Sequence, residues 1–425
     1  MDESDKTPDR KPRRIRAQDV QGLKYFKSIN GLLQRLHHAG TERDKSNNRK
    51  LHMDQYCMLV LIWMYSPILT SLRAVQQAST LQKLQKKLGV PRTSLGSLSE
   101  SVQIFDPLHL KQIAKELGDQ LPLKLAGNQP KGFDASTIDR LSGLGKTITA
   151  VDGSIVQVLA RIAELAWIKV GDGAPTCGYR LHTQFEVLRG IPNRIDATSA
   201  NPKGEADERM VLERTLEPDR LYVMDRGYQK WGLWNAIHSK GSSYICRARN
   251  KSAYEVVEDR PLSQADTQAG VLSDQIIKPT AEGARMNHSL RIVMVQGAVH
   301  TSRGRRRGRK FSSTGPSCDG VVRLVTDMLD VPAELIAAIY RLRWLVELFF
   351  KMFKHLLGCR HLLSTKQNGV EIQVYCAIIA CMLILLHTGR TPTKRTFEMI
   401  CFYMMGWASL EELEQHIEKL KPVAN

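Results

Sequence analysis

Apolar residues recur at spacings of three and four from about residue 20 to residue 130, as in Leu81, Leu84 and Leu88, and predict a helical segment. The period changes at Lys146. Lys146-Thr-Ile-Thr-Ala-Val-Asp152 is short and β-branched, which predicts a strand. Tyr179 to Leu188 alternates, turns at Arg189-Gly190 and resumes at Ile191, a hairpin pattern. A helix is predicted over 204–216, a strand over Arg220 to Asp225, helical residues from Gln229, and a strand over Ser242 to Arg247. That order predicts an α/β layer built on a mixed sheet. Residues 250–320 interrupt it. They are polar, with one clear strand from Leu290 to Val295. After a strand from Val321 to Thr326, a long helical pattern runs from about Val331.

This pattern divides the chain into a tail (1–20), a helical N-terminal part (21–140), an α/β part (141–390) holding the insertion (250–320), and a helical C-terminal segment (391–425). In the first helical part, Gly89 can end one helix and Thr93 or Ser94 can cap the next. Such a turn fits a DNA-binding helix-turn-helix or an ordinary connection in a bundle. Two apolar runs, Met58 to Thr70 and Ile372 to His387, are shorter than the roughly 20 residues a membrane span needs. Both are predicted to be buried helices, with no membrane association. Leu410, Leu413 and Leu420 could serve a dimer contact or the core. Trp63, Trp167 and Trp407 are expected in the core.

Charge narrows the partner. Lys and Arg number 61 against 43 Asp and Glu, a formal net charge of +18, which implies a polyanionic partner such as nucleic acid. The eight cysteines are scattered without a CxxC pair, which points to a reducing compartment and a cytoplasmic protein. The acidic N-terminus has no apolar stretch of signal-peptide type.

Two carboxylates occupy matching contexts. Asp152 ends one predicted strand and precedes Gly153. Asp225 ends another and precedes Arg226-Gly227-Tyr228. Ligands of open α/β sheets collect at the carboxyl ends of strands, and paired carboxylates there suit magnesium or manganese. A turn Asp and a helix-capping Asp fit the same pattern. A third group adds weight. Tyr340, Arg343, Glu347 and Lys354 stand at offsets of 0, 3, 7 and 14 along one predicted helix, within about 60° of one another, with Lys351 on the same stripe. The rest of that helix is largely apolar. One acid set between cations and a tyrosine is a layout for a metal ligand beside phosphate clamps.

The spacing Y-x2-R-x3-E-x6-K of Tyr340, Arg343, Glu347 and Lys354 resembles the signature of the DDE transposases of the large cut-and-paste family of bacterial insertion sequences. Asp152 in "AVDGS" and Asp225 in "VMDRGY" resemble that family's first two acids, and Glu347 its third. The resemblance covers about residues 145–390. It implies a ribonuclease H-like mixed sheet flanked by helices, with a β-rich insertion and a helical N-terminal DNA-binding domain. It further implies two Mg2+ ions per active site (Mn2+ as a substitute) held by Asp152, Asp225 and Glu347. Those ions would serve cleavage at the element's ends and joining to target DNA. Implied partners are double-stranded DNA, both terminal inverted repeats and target, and a second copy of the chain in a homodimer on DNA. Tyr340, Arg343 and Lys354 would contact phosphates. Arg226 and Lys351 are further candidates, as are Arg305, Arg306 and Arg307 in a basic knot with six cations in eight positions.

Relatives that cut through a DNA hairpin hold a flipped base on a tryptophan of the insertion. No Trp lies between Trp234 and Trp344 here, leaving Tyr254 or Phe311 to stack a base. Rival readings are a nuclease of the same fold that does not join ends, and an inactive or domesticated DNA-binding relative. His182, on the first hairpin strand, is expected to be packed or hydrogen-bonded rather than a metal ligand.

Overall fold

A computed structural model describes residues 31–38, 48–66, 68–120, 135–158, 167–168, 176–199, 204–250, 252–281, 283–297, 320–356, 363–364, 366–388 and 393–420. Among the described residues, six α-helices precede the sheet: α1 (Met53–Tyr65), α2 (Leu72–Ala78), α3 (Gln82–Leu88), α4 (Leu95–Ile104), α5 (Leu108–Asp119) and α6 (Ala135–Ser142). Gly89 ends α3 in a left-handed conformation, φ +66°, which a side chain would strain. The Ser94 side chain caps α4 by accepting from the Ser97 amide.

The strands are β1 (Thr147–Val158), β2 (Trp167–Ile168), β3 (Thr176–Glu186), β4 (Ile191–Ser199), β5 (Arg220–Met224), β6 (Ser243–Arg247), β7 (Tyr254–Asp259), β8 (Val271–Pro279), β9 (Leu290–Gln296) and β10 (Val321–Thr326). Helix α7 (Glu208–Arg214) precedes β5, α8 (Trp231–Ser239) follows it, and α9 (Gln264–Gln268) lies between β7 and β8. The sheet order is β2-β3-β1-β5-β6-β10-β9-β8-β7, with β4 also on β3. Strands β1, β5 and β6 run parallel, while β3 runs antiparallel to both β1 and β4. The run β4-β3-β1-β5-β6 is the ribonuclease H-like arrangement. The parallel strands β5 and β6 are buried throughout, apart from the half-buried Arg247, as strands covered on both faces must be.

The insertion is richer in strands than its sequence pattern suggests. Beyond β9 it holds β7 and β8, and β10 joins all three to β6, so they extend the central sheet. The exposed side chains of β7 fit an edge strand and hide the apolar signal that marks β9. The basic knot and Phe311 lie outside the described residues, while Tyr254 is half-buried against the apolar cluster around Trp234.

Among the described residues, the chain closes with helices α10 (Ala333–Leu342), α11 (Trp344–Leu356), α12 (Gln367–Thr388), α13 (Lys394–Met405) and α14 (Leu410–Glu418). The single helix expected over 340–358 is two. The Arg343 amide donates to the Tyr340 carbonyl at 3.1 Å and the Val346 amide to the Arg343 carbonyl at 3.2 Å, tight i→i−3 bonds that break the register. The two pieces rest on different beds: α10 against β8 and β9, α11 against β1.

Helix α12 is apolar all round and sits centrally, packed against α1, α4, α5 and β4. One continuous core therefore reaches from Leu33 to Leu383. Among the described residues, no helix is long and apolar enough to cross a membrane. Leu413 is buried and serves the core, whereas Trp407 is 76% exposed, against expectation, and stacks on Phe402 at the surface.

Candidate active site

The pairing of β1 with β5 sets the first two carboxylates. Their parallel register runs from Thr147 opposite Arg220 to Ala150 opposite Val223. Carried on by two positions, it places Asp152 opposite Asp225. Strand β5 stops at Met224, but β1 continues to Val158 on its other partner, β3, so Asp152 lies within a strand rather than at its end. The sheet thus loses a partner strand beside Asp152. Asp225 turns the chain there: its Oδ1 accepts from the Gly227 amide at 2.7 Å and caps the short turn Arg226–Tyr228.

Glu347 arrives from the first turn of α11, the helix packed on β1. Phe349 on that helix meets Phe185 on β3, ring centroids 5.4 Å apart, which fixes the approach. Arg343, in the break before α11, donates from Nη2 to Glu347 Oε1 at 2.5 Å. The arginine side chain is 18% exposed and the glutamate 44%, so the acid stays accessible from one side.

Electrostatics ties these groups together. Burial pushes the Asp152 carboxyl up to about 6. Arg343 and the Gly153 amide oppose that shift, while Asp225 and Glu347 add to it. Three carboxylates therefore share one field with Arg343 as the cation opposing the shift. Burial also raises the Tyr340 hydroxyl, with Arg343 and Arg247 pulling it down and Asp225 within reach.

The other predicted residues divide. Arg226 is half-buried in the turn after Asp225. Lys351 and Lys354 follow Glu347 by four and seven positions on α11, but their side chains lie outside the described residues. Arg305, Arg306 and Arg307 lie outside them altogether. His182 is buried, and its Nε2 meets Thr198 Oγ1 at 2.8 Å.

Arg247, Glu208 and Arg180 were not singled out in the sequence, and Tyr228 only as part of the run after Asp225. Arg247 ends β6 beside Tyr340. Glu208, the first residue of α7, pairs with Arg180 of β3 and lies against Gly153, where a Cβ would clash with its Oε1. Tyr228 is fully buried; burial raises its hydroxyl, with Glu208, Asp152 and Asp225 adding to the shift. Its Oη has no hydrogen-bond partner among the described residues. Arg247 carried a sequence signal, since it ends the strand next to the one leading to Asp225, and so did Tyr228, which closes the Arg226-Gly227-Tyr228 run after Asp225.

The donor set fits a hard divalent cation. It consists of carboxylate oxygens, and Asp225 and Glu347 each add to the rise that burial gives Asp152. Asp152, Asp225 and Glu347 could hold such a cation once Glu347 exchanges its bond to Arg343.

The family model described as "Transposase DDE domain" matches residues 143–383. Protein y4zB of Sinorhizobium fredii (strain NBRC 101917 / NGR234) is 26% identical over 210 residues, 49% of this chain and 52% of that one. The transposase for insertion sequence element IS231B of Bacillus thuringiensis subsp. berliner is 23% identical over 267 residues, 56% of this chain and 55% of that one. The chain spans about half the length of the curated relatives it matches. A cryo-EM structure of the piggyBac transposase synaptic complex with hairpin DNA aligns over 92% of this chain and 83% of that one. Its 8% identity and TM-score of 0.39 are too slight to carry an argument.

Proposed function

Because the chain belongs to the transposase DDE-domain family, we propose that it is a transposase that cleaves DNA at the ends of an insertion sequence and joins those ends to target DNA. Asp152, Asp225 and Glu347 are its metal ligands, for two Mg2+ ions with Mn2+ as a substitute. When bound, the ions supply a more acidic attacking hydroxyl and positive charge at the leaving oxygen.

The chain's own groups do the rest by position and charge. Asp152 must ionise to act as a ligand, and Arg343 favours its ionised form. Arg343 is also placed to pair with a phosphate once Glu347 turns to the metal. Tyr340 keeps its proton at neutral pH, since burial raises its hydroxyl, and can donate to a phosphate oxygen. Lys354, Lys351 and Arg226 add cations around the same phosphates. Arg305, Arg306 and Arg307 hold flanking or target DNA without sequence preference. Two ends are handled by a homodimer assembled on double-stranded DNA.

The observation that carries this reading is the meeting of β1, β5 and α11, which brings three acids and an arginine into one field. A strand-transfer assay tests it: a pre-cut DNA end bearing the sequence that flanks the gene is incubated with target plasmid and Mg2+. Joined product is expected. Hydrolysis without joining would make the protein a nuclease, and neither would make it a binding protein.

A further inference from the structure

A second group of ligating side chains lies where α8 meets the insertion. His238 is in the last turn of α8, His288 precedes β9 and Asp327 follows β10. One ligand atom from each lies within 4.8 Å of the other two. The cluster joins segments far apart in sequence, and its surroundings hold two of its members in place. Asp327, with a side chain 2% exposed, accepts from the Tyr244 amide at 3.0 Å through Oδ1 and meets His238 Nδ1 at 2.9 Å through Oδ2.

His288 is oriented from behind. Its Nδ1 faces Asn287 Oδ1 at 2.7 Å. Asn287 is itself held by α8, donating from its amide to Asn235 Oδ1 at 3.1 Å and from Nδ2 to Ser239 Oγ at 3.0 Å. An amide oxygen only accepts, so the proton sits on Nδ1 and the lone pair on Nε2, which meets Tyr244 Oη at 3.0 Å. A hydrogen bond that fixes the tautomer of an imidazole is what a metal-ligating histidine needs.

We propose that His238, His288 and Asp327 bind one divalent cation of the zinc class, which ties the insertion to α8 and β10. Two imidazoles with one carboxylate select such an ion over magnesium, unlike the oxygen-only cluster of Asp152, Asp225 and Glu347. The ion takes the place of the proton shared by His238 Nδ1 and Asp327 Oδ2, which passes to solvent, and of the Tyr244 hydroxyl that donates to His288 Nε2; solvent completes its shell. The two imidazole rings are stacked at 4.2 Å and 18°, so the lone pairs must be brought to converge. The His238 ring, 44% exposed, is free to tilt for this.

The test uses the full-length chain carrying Asp152→Asn and Asp225→Asn, which weakens binding at the oxygen cluster. After chelator treatment it is titrated with Zn2+ against a chromophoric chelator, and with Co2+ while visible absorption is recorded. One Zn2+ per chain, a Co2+ band of histidine-ligated type, and no competition from millimolar Mg2+ are expected. His238→Ala and His288→Gln should each weaken Zn2+ by about 100-fold or more, since a lost ligand costs more than the 10–100-fold of an outer partner. Absence of stoichiometric Zn2+ and of the Co2+ band would overturn the proposal, leaving an Asp–His hydrogen bond beside a stacked ring. So would binding that His238→Ala leaves unchanged. Should a histidine variant fail to fold, the parent's stoichiometry and Co2+ spectrum still decide.

Discussion

Asp152 and Asp225 face each other across the continued register of β1 and β5, two positions past the last paired residues, Ala150 and Val223. The arrangement places two like charges side by side with Arg343 close by. Asp152→Asn and Asp225→Asn should each weaken Mn2+ binding by about 100-fold or more, since a lost ligand costs more than the 10–100-fold of an outer partner. Calorimetric titration with Mn2+ checks this; an unchanged affinity in either variant would separate that carboxylate from the metal.

The pH dependence of stability follows from two buried groups with opposite shifts. Asp152 rises from 3.8 to about 6, so the stability its neutral form contributes is complete below 3.8 and lost as pH rises through 6. His182 falls from 6.5 to about 4, chiefly through burial. Its contribution is complete above 6.5 and lost as pH falls through 4. Each shift is worth on the order of 3 kcal/mol, and in nearly the same window they oppose each other. Denaturant melts in chelator at pH 4, 5.5 and 7.5 separate them. Asp152→Asn should gain stability on the parent as pH rises, and His182→Gln should lose the acid sensitivity. Melting curves offset equally at all three pH values would contradict both assignments.

Gly153 should resist enlargement. A Cβ there meets the end of the Glu208 side chain, which Arg180 holds in place. Gly153→Ala should destabilise by about 1–3 kcal/mol through overpacking, and Glu208→Ala in the same chain should recover most of that. Calorimetric melting of the single and double variants measures the coupling; additive losses would mean that the pair moves aside freely.

Arg291 links the insertion to the helix before the site. It is 2% exposed and bidentate to Asp274, and its Nη1 donates to the carbonyls of Met328, Leu329 and Val331 just ahead of α10. Arg291→Ala strands the buried Asp274 and should cost about 3–5 kcal/mol, while Arg291→Met with Asp274→Leu should cost much less. Urea unfolding compares them; equal losses would deny the stranded charge.

The parallel strands were legible because β5 and β6 are buried on both faces and read as apolar runs bounded by turns. The three candidate acids could be singled out for a local reason: each follows or lies on an element with its own sequence pattern. Strand β7 was not, since an exposed edge carries no apolar alternation. The break at Arg343 was hidden because it comes from two packing beds rather than from Pro or Gly. Glu208 was hidden for a third reason, and so was the burial of Tyr228 beside Asp152. Only the folding of α7 and the turn after Asp225 onto β1 brings them to Asp152. Trp407 shows the converse, an aromatic residue whose type suggests the core but which lies at the surface.

The central claim is that Asp152, Asp225 and Glu347 serve one metal-dependent reaction on DNA. It is tested most directly by cleavage of DNA carrying the gene's flanking sequence, with Asp152→Asn, Asp225→Asn and Glu347→Gln compared with the parent in Mg2+. Losing a metal ligand removes several kcal/mol of transition-state stabilisation, so each variant should cleave about 1000-fold more slowly or worse. Each should still shift the same DNA in a gel. Any one of the three that cleaves within about tenfold of the parent, or that loses DNA binding together with cleavage, would contradict the account.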